Sequence, residues 1–153
     1  MYLAPEALRD PGSLDGRADL YALGAVAYFL LTGTVVFGAK SVMEALHHHI
    51  VSVPEPPSQR LRALQPNATI PDDLEQIVLA CLAKAPENRP SSANALLDAL
   101  SRCSVARTWT DADARAAWAS FRDAPRTRPT SSVGNAKTEV SVTAKTIPIY
   151  QRA

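Results

Sequence analysis

Cysteine is scarce in this chain: Cys81 and Cys103 are the two thiols among 153 residues. That is too few for a disulfide framework, and the spacing fits no zinc site, so both are expected to be reduced thiols of a cytoplasmic protein. A surplus of either charge is absent as well. Sixteen Lys and Arg against fifteen Asp and Glu leave +1, which gives no reason to expect nucleic acid or an anionic membrane as partner. No long apolar run occurs. The stretch between Asp19 and Lys40 is uncharged, but it is apolar only from Leu20 to Leu31, short of the ~20 residues that span a bilayer. No basic region follows Met1, so no signal peptide is expected. The six glycines, at 12, 16, 24, 33, 38 and 134, never form a G-x-G-x-x-G loop. What is present is a globular composition, 46% hydrophobic, sufficient for one modest domain and additions to it.

The charge is unevenly placed. Residues 1–103 carry 8 Lys/Arg and 11 Asp/Glu, whereas residues 104–153 carry 8 and 4. The texture changes at the same point, which puts a boundary near Cys103. Three parts are expected: a domain over 1–103, a helical extension over 104–124, and a disordered tail over 125–153, where Thr, Ser, Arg, Lys and Pro lack periodicity.

Every readable element is helical, so the chain is expected to be all-α. Asp15 is placed to cap a helix from about Arg17 to Leu31, ended by Gly33 in the left-handed conformation. That helix has no polar face and is read as buried in the centre of the domain. Ser41 caps a short helix to about Ile50. Residues 51–71, rich in proline, read as loop. Pro71 and the acids after it open a helix to about Lys84, with Leu74, Ile77, Val78, Cys81 and Leu82 as its stripe. A rigid connector, 85–90, leads to a helix capped by Ser91 and Ser92, with Ala93, Leu96, Leu97 and Leu100 on one face. Thr110 and the acids after it open a last helix, whose Trp109, Ala114, Ala117, Trp118 and Phe121 are expected to cover the domain's apolar surface.

Three short motifs stand out. Tyr2-Leu3-Ala4-Pro5-Glu6 resembles the end of the activation segment of a eukaryotic-like serine/threonine protein kinase. Asp19, in Arg17-Ala18-Asp19-Leu20-Tyr21-Ala22-Leu23-Gly24, resembles the acid of that family's long central large-lobe helix. Arg89, in Glu87-Asn88-Arg89-Pro90, resembles the arginine that pairs with the motif's glutamate. Order, spacing and intervening helices all agree over residues 1–103, and Trp109 to Trp118 is similar to a helical appendage of some bacterial members. The resemblance implies the lower part of a kinase large lobe. It also implies a structural ion pair between Glu6 and Arg89, a catalytic loop supported by Asp19, and a peptide-binding floor bordered by Tyr2 and Leu3. The physical reasons are independent of the family. An arginine fork matches a carboxylate through two parallel bonds, and a buried aspartate must accept hydrogen bonds.

The resemblance further implies ATP-dependent phosphoryl transfer to Ser or Thr with magnesium. That chemistry needs a Gly-rich loop, a strand lysine, a His-Arg-Asp loop and an Asp-Phe-Gly metal ligand, and none occurs in this sequence. The chain is therefore expected to be a fragment, or a stand-alone remnant, that binds neither ATP nor magnesium and is inactive alone, with Met1 as an internal residue of the family pattern. The alternative is a non-catalytic interaction module. In the family the helix from Ser41 to Ile50 often docks substrates or regulators, a protein-binding role that it would offer here. Its His47-His48-His49 run is not a metal site, because neighbours on a helix point about 100° apart; surface histidines are expected. Asp72, Asp73 and Glu75 are read as an acidic helix start rather than a cation site.

A central helix that is apolar all round, without its usual neighbours, must show apolar surface to water, and patches beyond a few hundred Å² invite association. The isolated chain is accordingly expected to be poorly soluble or molten; a sharp, cooperative thermal melt of a monomer would contradict this.

Overall fold

The computed structural model describes residues 2–106 and 108–123. The tail expected over 125–153, and the side chain of Phe121, lie outside the described residues. Seven α-helices and two short 3-10 turns account for the regular structure there, and no strand occurs among the described residues. The helices are α1 (Pro5–Arg9), α2 (Arg17–Thr32), α3 (Val42–Val51), α4 (Pro57–Leu64), α5 (Asp72–Cys81), α6 (Ala93–Ser101) and α7 (Asp111–Asp123).

Local chemistry sets most of the ends. Asp15 lies one residue before the N-cap of α2 but still takes its first free N–H, that of Arg17, at 2.8 Å, and grips the Arg17 guanidinium as well. Gly33 closes α2 at φ 70°, donating its N–H to Phe29, a conformation that only glycine adopts without strain. Ser41 caps α3 by accepting the Glu44 N–H, and the Glu44 carboxylate reaches back to the Lys40 N–H at 2.6 Å. Ser92 accepts the Ala95 N–H at the start of α6. Thr110 and Asp113 form a reciprocal pair at the start of α7: the Thr110 N–H donates to the Asp113 carboxylate, and the Asp113 N–H donates to the Thr110 hydroxyl.

The core lies along one face of α2. Leu20, Tyr21, Gly24, Ala25, Tyr28 and Thr32 are buried. This face packs on α4 and α5, where Leu61, Val78, Cys81 and Leu82 are also buried. Leu20, Cys81 and Leu96 form a second, smaller cluster toward α6. Burying a leucine or valine of this kind contributes roughly 1.5–3 kcal/mol.

Several sequence expectations need correction. Residues 57–64, read as loop, form α4. The prolines at 54, 56, 57, 66 and 71 all avoid the helix interior, and Pro57 takes the first position, where its missing N–H costs nothing. Helix α2 is not buried on every side: Leu23 is 50% and Leu30 77% exposed, with Val26 between them on the same face, the apolar exposure expected of this helix without its usual neighbours. Helix α5 ends at Cys81, short of Lys84. On α6 Leu96 is buried, but Leu97 and Leu100 are exposed. Trp109 and Trp118 are exposed too, so they do not cover the domain's apolar surface. For α2, α6 and the two tryptophans, periodicity identified a shared face but not what lies against it. No helix among the described residues is long and apolar enough to cross a membrane.

Gly24 marks the closest approach of α2 and α5: a Cβ there would lie 2.6 Å from the Cys81 Cβ. Gly24→Ala is expected to push the two helices apart at a cost of about 1–3 kcal/mol. The expected readout is faster hydrogen exchange in α2 and α5 than in α3.

Candidate functional site

Arg89 is bonded through every donor of its side chain. It stands in extended backbone after the 3-10 turn Pro86–Asn88, with its side chain fully buried. Nη1 donates to Glu6 Oε1 at 2.6 Å and to the Arg17 carbonyl at 2.9 Å. Nη2 donates to Glu6 Oε2 at 2.8 Å and to the Lys84 carbonyl at 3.2 Å. Nε donates to the Ala83 carbonyl at 2.8 Å. The five N–H groups of a guanidinium are thus all used, and its carbon sits 4.9 Å from the centre of the Tyr21 ring. Pro5 starts α1 and sets Glu6 in its first turn. The Arg89 hydrogen bonds hold the Glu6 carboxyl below its ordinary range, against the opposing effect of burial.

Asp19 lies in the first turn of α2 and is exposed rather than buried. It shares the open stripe of that helix with Leu23, Val26 and Leu30, which recur at the spacing of one helical face. Tyr2 and Leu3 are exposed immediately before the buried pair Ala4 and Pro5. The structure therefore brings Glu6 and Arg89 together and leaves Asp19, Tyr2 and Leu3 on the surface.

A second polar cluster adjoins the first and was not foreseen. His49, expected on the surface, is 3% exposed. Its Nδ1 lies 2.8 Å from the Tyr21 hydroxyl, and its ring meets Phe37 edge-on at 5.2 Å. His48 pairs with Ser52 and His47 is exposed, so the three rings diverge as helix geometry requires. The Lys84 ammonium donates to the His49 carbonyl at 2.8 Å, and to the His48 carbonyl and Tyr21 hydroxyl at 3.4 Å each. It also sits 4.6 Å from the centre of the Phe37 ring. Burial, followed by the charges of Arg89 and Arg9, lowers its pKa to about 8. Burial raises the Tyr21 phenol and lifts the Cys81 thiol to about 11, so Cys81 is protonated at neutral pH.

The acids that open α5 have structural partners. Asp73 accepts the N–H and hydroxyl of Ser104, tying the segment after α6 to the start of α5; the Ser104 N–H is the main reason that its pKa is lowered. Glu75 accepts the Ser58 N–H at 2.6 Å, at the start of α4. No group of three potential metal-ligating side chains lies together among the described residues.

Comparison with known proteins agrees with this geometry. A family profile described as protein kinase domain matches residues 1–100. The serine/threonine-protein kinase Pkn1 of Myxococcus xanthus is 42% identical over 99 residues, covering 65% of this chain and 13% of that protein. Pkn3 of the same organism is 38% identical over 94 residues, or 61% of this chain and 16% of the relative. PknB of Mycobacterium leprae is 42% identical over 92 residues, or 60% and 14%. The chain thus spans about a sixth or less of the length of these curated relatives.

Glu6→Gln is expected to cost ~3–5 kcal/mol, because it leaves the buried Arg89 charge without its counter-ion. The folded Glu6 pKa is below its ordinary 4.5. Its contribution to stability is therefore complete above that value and is lost as pH falls through the lowered one. Hydrogen-exchange protection of α1 and of residues 83–90, followed from neutral to acid pH, should decline in the parent chain. In Glu6→Gln it should be low throughout.

Proposed function

This chain belongs to the protein kinase domain family, and we propose that it forms the lower part of the large lobe of a bacterial serine/threonine protein kinase. In this reading it supports ATP-dependent phosphoryl transfer to Ser or Thr without performing it. The observation that carries the reading is Arg89, buried, with all five donors engaged and a two-bond grip on Glu6. That grip fixes Ala4, Pro5 and α1 against the start of α2. Tyr2 and Leu3 then leave the anchor on the exposed side, as a segment bordering a peptide substrate would.

Asp19 has the chemistry of a loop support. Its exposed carboxylate, on the open face of α2, is free to accept backbone N–H groups of a neighbouring catalytic loop. The sequence contains no Gly-rich phosphate loop. In this reading nucleotide and magnesium are held by other parts of a full-length kinase, and no step of the transfer falls to the residues described. A second reading, a non-catalytic module, is favoured by α3, whose Val42 and Met43 are 65% and 74% exposed; these side chains suit a docked protein partner.

A chimera tests the first reading. Residues 1–100 would replace the matching segment of the mycobacterial PknB, and phosphorylation of a generic protein substrate would be measured. The chimera is expected to be active, and Arg89→Ala or Asp19→Asn in it to lose most of that activity. The isolated chain is expected to incorporate no phosphate and to give no heat on titration with ATP and magnesium. A folded but inactive chimera, or nucleotide binding by the isolated chain, would overturn the proposal.

A further inference from the structure

Helix α7 contributes no residue to the buried core and forms no extended packing with another described helix. One of its faces is nevertheless ordered by charge. Asp111, Arg115, Trp118 and Arg122 follow one another at intervals of four, three and four residues, so they form a single line along the helix. The three charged members are exposed, and Trp118 is 69% exposed. Tryptophan and arginine side by side are the composition of an interface centre.

The line is self-complementary. The midpoint between Asp111 and Arg122 is also the midpoint between Arg115 and Trp118. A second copy laid antiparallel, with a two-fold axis at that point, sets Asp111 against the partner's Arg122 and Arg115 against the partner's Trp118, and each contact occurs twice. The first is an ion pair. The second places a guanidinium over an indole, the most favourable ring for a cation. A parallel pair would instead oppose Asp111 to Asp111 and Arg115 to Arg115, which repels. Ala114, one turn before Trp118, is half-buried and small, so it does not hold the two backbones apart.

We propose that α7 is a self-association helix, which pairs antiparallel with α7 of a second copy of this chain through Asp111, Arg115, Trp118 and Arg122. Thirteen residues make a helix of about 20 Å. Two such helices bury less than the roughly 1,200 Å² of a stable interface, so the dimer is weak and responds to concentration. Its ion pairs are exposed at the rim, so added salt weakens it further. The inference concerns α7 alone and does not depend on a kinase role.

Sedimentation of the full chain, from micromolar to near-millimolar concentration, tests it. The parent chain is expected to pass from monomer to dimer. Trp118→Ala should weaken the dimer about tenfold or more, because the loss is felt twice; Trp109→Ala, outside the line, should leave it unchanged. Asp111→Arg and Arg122→Asp should each stay monomeric alone, since like charges then face one another. An equal mixture of the two should dimerise, because each variant supplies the charge that the other now lacks. Changes within one chain, such as a lost attraction between Asp111 and Arg115 or weaker helix ends, cannot produce that recovery. A parent chain that is monomeric throughout would overturn the proposal and leave the line to a partner of another kind. Association unchanged in Trp118→Ala would overturn it in favour of the open face of α2. A mixture that associates no more than its two components would overturn it as well.

Discussion

A buried guanidinium organises this molecule. Taking a positive charge out of water costs several kcal/mol, and the cost is tolerable only where hydrogen bonds replace hydration. Arg89 meets that condition with a carboxylate and three backbone carbonyls. These acceptors come from α1, the start of α2 and the segment after α5, so one side chain joins parts of the sequence 83 residues apart. The Tyr21 ring beneath it adds a face to the cation and carries the connection onward to His49 and α3.

Helix α2 is the other structural constraint, and it has two distinct sides. Gly24 and Ala25 let α5 approach closely, while Tyr21 and Tyr28 fill the wider spaces on either side. The opposite side carries Asp19, Leu23, Val26 and Leu30 and is open to solvent. An apolar stripe with one acid at its head is an unusual surface for water to cover. It is consistent with the lower large lobe of a kinase, in which this helix is central. The relatives that match are several times longer than the chain.

The candidate site was legible in part. Glu6, Arg89 and Asp19 emerged from three short motifs taken together, through a family resemblance that no single one of them would have supported. The neighbouring cluster was not legible. His49 sits in a run of three histidines that reads as surface, and nothing near it in sequence announces Tyr21, 28 residues earlier, or Lys84, 35 residues later. Glu75 was read as part of an acidic helix start, yet its carboxylate binds the Ser58 N–H at the start of α4, a helix that was itself unread.

The division follows the range of the forces involved. Helix ends are decided by groups within four residues, so Gly33, Ser41, Ser92 and Thr110 can be read from their neighbours. An all-helical chain with a buried central stripe follows from composition and periodicity. Burial is decided by what arrives from elsewhere. The same leucine spacing leaves Leu96 inside and Leu97 outside, and two tryptophans that look like core are exposed. Those outcomes depend on contacts between distant segments, whose energies no local pattern contains.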